Sequence, residues 1–265
     1  MLTTLSHELR GSLNAIRGWV SMVQKGALPS DGIPRVFSII GRNADNLWRL
    51  VETLFDLSRS AAGSLALTLE TVDVAQLAEL VAESSYPSAS QRGVTVTTNC
   101  ARTAFVVNGD RVRLEQVIRN LVDNAVKFTP AGGTVTISTT CQRSFGELVV
   151  NDTGAGIPPD VLPTIFDPFR RGGGDVAPSD AGVGLGLALV REIVELHRGE
   201  ITAFSRGRGQ GATFVVRLPL MMGTGRTADL PRSHHRPAPP TALPRRLRHH
   251  HGAGRGTALP RAIAG

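Results

Sequence analysis

The feature that most narrows the fold is a run of regularly spaced apolar residues near the N-terminus. Leu2, Leu5, Leu9, Leu13, Ile16, Val20 and Val23 recur at steps of three and four, which aligns them along one face of an amphipathic helix. The helix is expected to end near Gly26, before the loop Ala27–Gly32. A second helix carries Val36, Ile40, Leu47, Leu50, Val51, Leu54 and Leu57 and stops before Ala61-Ala62-Gly63. Two helices joined by a short loop form an antiparallel hairpin. A hairpin alone buries such faces poorly, whereas two hairpins make a four-helix bundle, so a homodimer is expected.

Residues 65–220 have a different rhythm. Strand-like runs (Val94–Thr98, Val135–Thr139, Glu147–Val150, Ile201–Phe204, Thr213–Leu218) alternate with helices near Val74–Glu83, Leu114–Val126 and Val183–Leu196. This mixture predicts an α+β sandwich with helices on one face of a largely antiparallel sheet. The 265 residues therefore divide into a hairpin over residues 1–62, a sheet domain over 63–220 and a tail over 221–265.

Charge belongs to the tail. The chain has 29 Lys+Arg against 22 Asp+Glu, a net +7, and residues 221–265 alone carry eight Arg against Asp229. Residues 1–220 are thus neutral, and nothing in them calls for nucleic acid. The tail, rich in Arg, Pro, Gly, Ala and His without periodicity, is expected to be disordered. Its clusters His234-His235 and His249–His251 read more simply as solvated low complexity than as a metal site.

No apolar run approaches the ~18 residues of a membrane span, and polar residues begin by Ser6-His7-Glu8, so neither a span nor a signal peptide is expected. Cys100 and Cys141 stand alone, without C-x-x-C spacing, which fits a reducing cytoplasm rather than a disulfide scaffold.

The chemistry-bearing residues fall into a few clusters. His7 lies two residues from both Leu5 and Leu9, about 200° around the helix from each and hence towards solvent, with Glu8 beside it. An exposed imidazole oriented by a carboxylate can act as a nucleophile, although an ordinary surface histidine has the same surroundings. P-loop and dinucleotide fingerprints are absent. Asn120, Asn124 and Lys127 share one helix face, where carboxamides can ligate Mg²⁺ and an ammonium can meet phosphate. Asp152-Thr153-Gly154-Ala155-Gly156 follows a hydrophobic strand, so an acid able to accept from a base amine sits beside glycines that permit close approach. Gly172–Gly182 reads as a lid or a plain loop, and Gly182-Val183-Gly184-Leu185-Gly186-Leu187 opens a helix whose N–H groups can bind phosphate. Taken singly, these clusters also read as a solvated face, a hairpin turn and a loop.

In order and spacing, residues 1–220 resemble the transmitter core of a bacterial two-component sensor histidine kinase. Leu5–Arg10 resembles its phosphoacceptor box and Asn120–Thr129 its asparagine box. Asp152–Gly156 is similar to its first glycine box, Phe166–Phe169 to its phenylalanine box, Gly182–Gly186 to its second glycine box, and Gly209–Phe214 to the closing glycine–threonine element with Thr213. The resemblance implies a hairpin followed by an α/β-sandwich ATP-binding domain of the histidine kinase/gyrase-type superfamily. It implies that His7 accepts the γ-phosphoryl group of ATP with Glu8 as base or orienter, and passes it to an aspartate of a separate response-regulator receiver. Asn124 would ligate Mg²⁺, Asn120 and Lys127 would lie at the phosphates, and Asp152 would take the adenine amine, with Gly154 and Gly156 allowing close approach. Phe166 and Phe169 would border the site, Arg171 would stabilise the transferring group, and Gly182, Gly184, Gly186 and Leu187 would wrap the phosphates.

The chain departs from the family's pattern in three ways. Gly11-Ser12 stands where Thr-Pro is usual, which leaves no side chain at position 11 for removing phosphate from a receiver. The same change removes a proline kink. Met1 lies only six residues before His7, so the chain reads as a truncated transmitter, a fragment or a mis-called start. The alternative activity is a non-catalytic dimerisation and ATP-binding module.

Overall fold

A computed structural model describes residues 2–26, 32–100, 105–170 and 183–221. The tail, the lid or loop at Gly172–Gly182 and most of the interhelical loop lie outside the described residues. So do Arg171, Gly182 and the side chains of His7 and Glu8.

Helices α1 (Leu2–Gln24) and α2 (Ile33–Ala61) pack side by side, as their apolar spacing predicts. α2 has more than one apolar face. Val36 and Leu50 are buried or half-buried, whereas Phe37, Trp48, Val51 and Phe55 remain exposed on a second stripe, Trp48 at 66% and Phe55 at 65%.

The rest of the chain forms β1 (Glu70–Asp73), α3 (Val74–Gln91), β2 (Thr95–Cys100), β3 (Val106–Gly109), α4 (Arg111–Phe128), β4 (Thr134–Cys141), β5 (Phe145–Asp152), α5 (Gly186–Leu196), β6 (Glu200–Phe204) and β7 (Ala212–Pro219). Five strands make one sheet in the order β2-β4-β5-β7-β6; β2 runs parallel to β4 and every other pair is antiparallel. Helices α3, α4 and α5 cover one face. Strand alternation sorts the residues: Leu148, Val150, Phe214 and Val216 enter the core with Leu114, Ile118, Leu121, Leu189 and Ile193 of the helices.

Three expectations need correcting. β1 and β3 form a separate two-stranded sheet that the sequence reading did not contain; they are four residues each, too short for an alternating pattern to stand out. α3 continues past Glu83 to Gln91 through Pro87, because Ser85 and Ala89 still face the core and Pro87 removes one N–H on an exposed side. α5 starts at Gly186 rather than Val183, which leaves Val183–Leu185 as a loop.

A polar knot joins the start of α4 to the end of α5. Asp110 caps α4 by accepting from Arg113 N–H (3.1 Å), its other oxygen accepts from Thr68 N–H (2.9 Å), and its own N–H donates to buried His197 Nε2 (2.9 Å). His197 Nδ1 is 2.7 Å from the Ile193 carbonyl, so that ring nitrogen carries the proton. Among the described residues no helix is long and apolar enough to cross a membrane.

Candidate nucleotide and phosphoacceptor site

Asp152 is the last residue of β5 and is 6% exposed. Its Oδ1 accepts from Gly154 N–H (2.8 Å) and from Ala212 N–H (3.2 Å) on the neighbouring strand. Among the described residues Oδ2 has no hydrogen-bond partner, so it can accept from a ligand. Burial raises the carboxyl pKa above its ordinary value, and the two amide donors offset only part of that rise.

The turn after Asp152 is held on two sides. Ala155 N–H donates to the Phe128 carbonyl at the end of α4 (3.0 Å), and Gly211 N–H donates to the Gly154 carbonyl (3.1 Å). A side chain at Gly154 would run into the Phe128 carbonyl, so the close approach of turn and helix requires glycine there.

The asparagine face is brought to the same end of the domain. Asn120 and Asn124 are half-buried, and their carboxamides make no hydrogen bond among the described residues. A methyl group on Gly186 would stand 3.5 Å from Asn120 Oδ1, so the first residue of α5 lies beside α4. Lys127 Nζ lies 5.2 Å from the Phe128 ring centroid. Neutral carboxamide oxygens next to a helix N-terminus suit a hard cation that bridges to phosphate, so the donor set fits Mg²⁺-nucleotide.

The phenylalanine segment closes this end. Phe166 meets Phe214 edge-to-face at 6.3 Å. Phe169, at φ +64°, donates its N–H to the Gly184 carbonyl (2.9 Å). Gly184 has φ +75°, and any side chain there would strike the Arg170 carbonyl. Leu187 is half-buried against the main core. Val183 and Leu185, which flank Gly184, pack with Phe169 and with Leu9, Leu50 and Leu57 of the hairpin. The glycine loop therefore touches α1 two residues from His7.

Thr213 is not brought to Asp152. In the β5–β7 register Asp152 faces Ala212 and Asn151 faces Thr213, so the pleat sends the Thr213 side chain to the opposite face, where Oγ1 donates to Asn151 Oδ1 (2.7 Å). The contact with Asp152 that the sequence reading missed is the Ala212 backbone N–H. A main-chain donor leaves no mark in the sequence.

A helical hairpin followed by a helix-backed sheet with such a cleft defines a two-module ATP-binding signalling core. Residues 109–222 match the family described as histidine kinase-, DNA gyrase B-, and HSP90-like ATPase, and residues 1–63 match the His Kinase A (phospho-acceptor) domain. The sensor histidine kinase TrcS of Mycobacterium tuberculosis is 38% identical over 229 residues, covering 83% of this chain and 43% of TrcS. Among solved structures, the Acinetobacter baumannii histidine kinase AdeS has a TM-score of 0.63 at 27% identity, covering 81% of this chain and 98% of that one. Full-length ShkA in complex with AMPPNP has a TM-score of 0.61 at 31% identity, covering 82% of this chain and 45% of that one. The chain belongs to the two-component sensor histidine kinases, as a transmitter core. It spans less than half the length of the curated relatives it matches.

Proposed function

We propose that this chain transfers the γ-phosphoryl group of ATP to His7 and then to an aspartate on a separate response-regulator receiver. The observation that carries this reading is the packing of Val183 and Leu185 against Leu9, which joins the glycine loop to the helix bearing the acceptor histidine.

Asp152 Oδ2 accepts from the adenine amine, and Gly154 and Gly156 let the base lie close to the backbone. Phe166 and Phe169 border the nucleotide. Gly182, Gly184, Gly186 and Leu187 present backbone N–H groups to the phosphates, beside Asn120 and Lys127. Asn124 ligates Mg²⁺, which neutralises phosphate charge when bound. An imidazole nitrogen of His7 attacks the γ-phosphorus: a P–N bond forms, the bond to the β,γ-bridging oxygen breaks and ADP leaves. Glu8 orients the ring and takes its proton, and Arg171 balances charge on the moving group. Thr213 supports the sheet through Asn151 rather than touching nucleotide.

The working unit is a homodimer in the cytoplasm, where ATP and receivers are found. The exposed stripe of Phe37, Trp48, Val51 and Phe55 supports pairing of two hairpins. The test is a pulse with γ-labelled ATP and Mg²⁺, followed by a chase with a purified receiver domain. Label that enters the chain, is absent from His7→Ala and moves to the receiver supports the reading. ATP binding without label in the chain overturns it.

A further inference from the structure

α2 turns a third, polar face to the sheet domain. Arg49, Asp56 and Ser60 are seven and four residues apart, hence on one side of the helix. Each meets a complementary group on the helices of the nucleotide module. Arg49 Nη1 lies 3.6 Å from Asp123 Oδ2 of α4. Asp56 accepts both Arg113 guanidinium nitrogens, Nη1 at 2.5 Å and Nη2 at 2.8 Å, with Gln116 Nε2 at 3.4 Å. Ser60 Oγ donates to Glu192 Oε2 of α5 at 2.5 Å. Asp56 is 7% exposed and is the one charged residue of α2 counted among the buried residues.

Arg49–Asp123 is an exposed pair at the edge of the seam, whereas the central contact differs from an ordinary surface pair. The Asp56–Arg113 pair is bidentate and largely shielded from water, the geometry that gives ion pairs directional strength. Both partners would be solvated if the modules separated, so the pair favours docking without leaving a charge stranded in a core. Arg113 also reaches the nucleotide machinery through its own helix: α4 carries Asn120 and Asn124 about two and three turns further on. Sliding α2 along α4 by a single turn would put unlike partners out of reach at all three points, so the seam specifies one register.

We propose that the seam Arg49–Asp123, Asp56–Arg113 and Ser60–Glu192 is an interdomain clasp, with Asp56 and Arg113 as positioning residues that hold the nucleotide module in register for transfer to His7. The inference rests on the kinase reading above for its catalytic consequence, but the clasp itself is a statement about docking. Neither residue touches the nucleotide cleft. Removing either side chain therefore slows transfer at saturating ATP while leaving nucleotide affinity alone.

The test compares the full chain with Asp56→Asn, Arg113→Gln and the exchanged pair Asp56→Arg/Arg113→Asp. The exchange places an acid in the first turn of α4, which has none in the parent, and the helix dipole favours it there. Three quantities are read: the affinity for AMPPNP, the initial rate of His7 labelling at saturating Mg²⁺-ATP, and hydrogen–deuterium exchange over residues 52–60. Each single substitution is expected to slow labelling on the order of tenfold and to speed exchange in residues 52–60. AMPPNP affinity should stay within about twofold of the parent, and the exchanged pair should recover part of the lost rate. An unchanged labelling rate in the single variants overturns the proposal, as does a parallel loss of AMPPNP affinity or no recovery in the exchanged pair. If the parent chain itself does not label, the kinase reading fails. The clasp is then decided by exchange alone: unchanged protection of residues 52–60 in Asp56→Asn overturns it, and faster exchange upholds it.

Discussion

Ala212 and Asp152 face each other across β7 and β5, and the Ala212 N–H donates to Asp152 Oδ1 at 3.2 Å. This bond fixes one carboxylate oxygen so that the other can take a base amine. Burial raises the Asp152 pKa, so the folded chain holds that proton more tightly than the unfolded chain does. The ionised carboxylate therefore costs folding stability at neutral pH, and the cost fades as pH falls through the raised value. Asp152→Asn is expected to raise the melting temperature at neutral pH while losing adenine nucleotide binding. In the parent, AMPPNP affinity should fall on acidification at a pH above that of an ordinary aspartate. Calorimetry and thermal melts over a pH series check both.

Asp110 behaves oppositely. Burial alone would raise its pKa, but amide donation from Thr68, Arg113 and Val112, with the charge of Arg113, outweighs burial and holds it below its usual value. Its stabilising contribution is full above the unfolded carboxyl pKa and is lost as pH falls through the lowered folded value. Asp110→Ala should cost about 1–2 kcal/mol near neutrality, as helix caps do, and the gap from the parent should narrow in acid. Urea titrations at several pH values measure it.

Gly184 couples the phenylalanine segment to the glycine loop, since its carbonyl receives the Phe169 N–H and its Cα faces the Arg170 carbonyl. Gly184→Ala must shift one of them. AMPPNP affinity is expected to drop at least about tenfold, with a stability loss of roughly 1–2 kcal/mol from the left-handed backbone. Unchanged affinity would mean that the loop does not meet the phosphates.

Arg198 sits at φ +58° just past α5, where its N–H donates to Glu195 O and the Gly199 N–H to Val194 O. This helix end favours glycine at the left-handed position. Arg198→Gly is expected to stabilise the fold by about 1 kcal/mol, since the side chain is exposed. Thermal denaturation checks the sign.

Parts of this molecule were legible in the sequence because their signals are local. The hairpin shows in seven apolar residues from Leu2 to Val23, and the helix-backed sheet shows in its alternation of periods. The nucleotide cleft shows because Asn120, Asn124 and Asp152 are unusual polar residues beside core-forming runs. Other parts were not legible. Thr213 and Ala212 are adjacent, and only the register with β5 decides which faces Asp152. β1 and β3 are stable as a pair because Val72 meets Val107 across 35 positions of chain. Asp56 and Arg113 carry no motif, and only packing of the two modules brings them together. Period and composition report what a residue does within its own element; contacts between elements depend on docking.

The central claim is that His7 receives the phosphoryl group, and the most direct measurement is where phosphate resides after incubation with Mg²⁺-ATP. Peptide mapping by mass spectrometry at neutral to alkaline pH should locate a single acid-labile phosphate on His7, absent from His7→Ala and from Asp152→Asn. A chain that binds AMPPNP yet carries no phosphate on His7, or carries acid-stable phosphate elsewhere, would contradict the account.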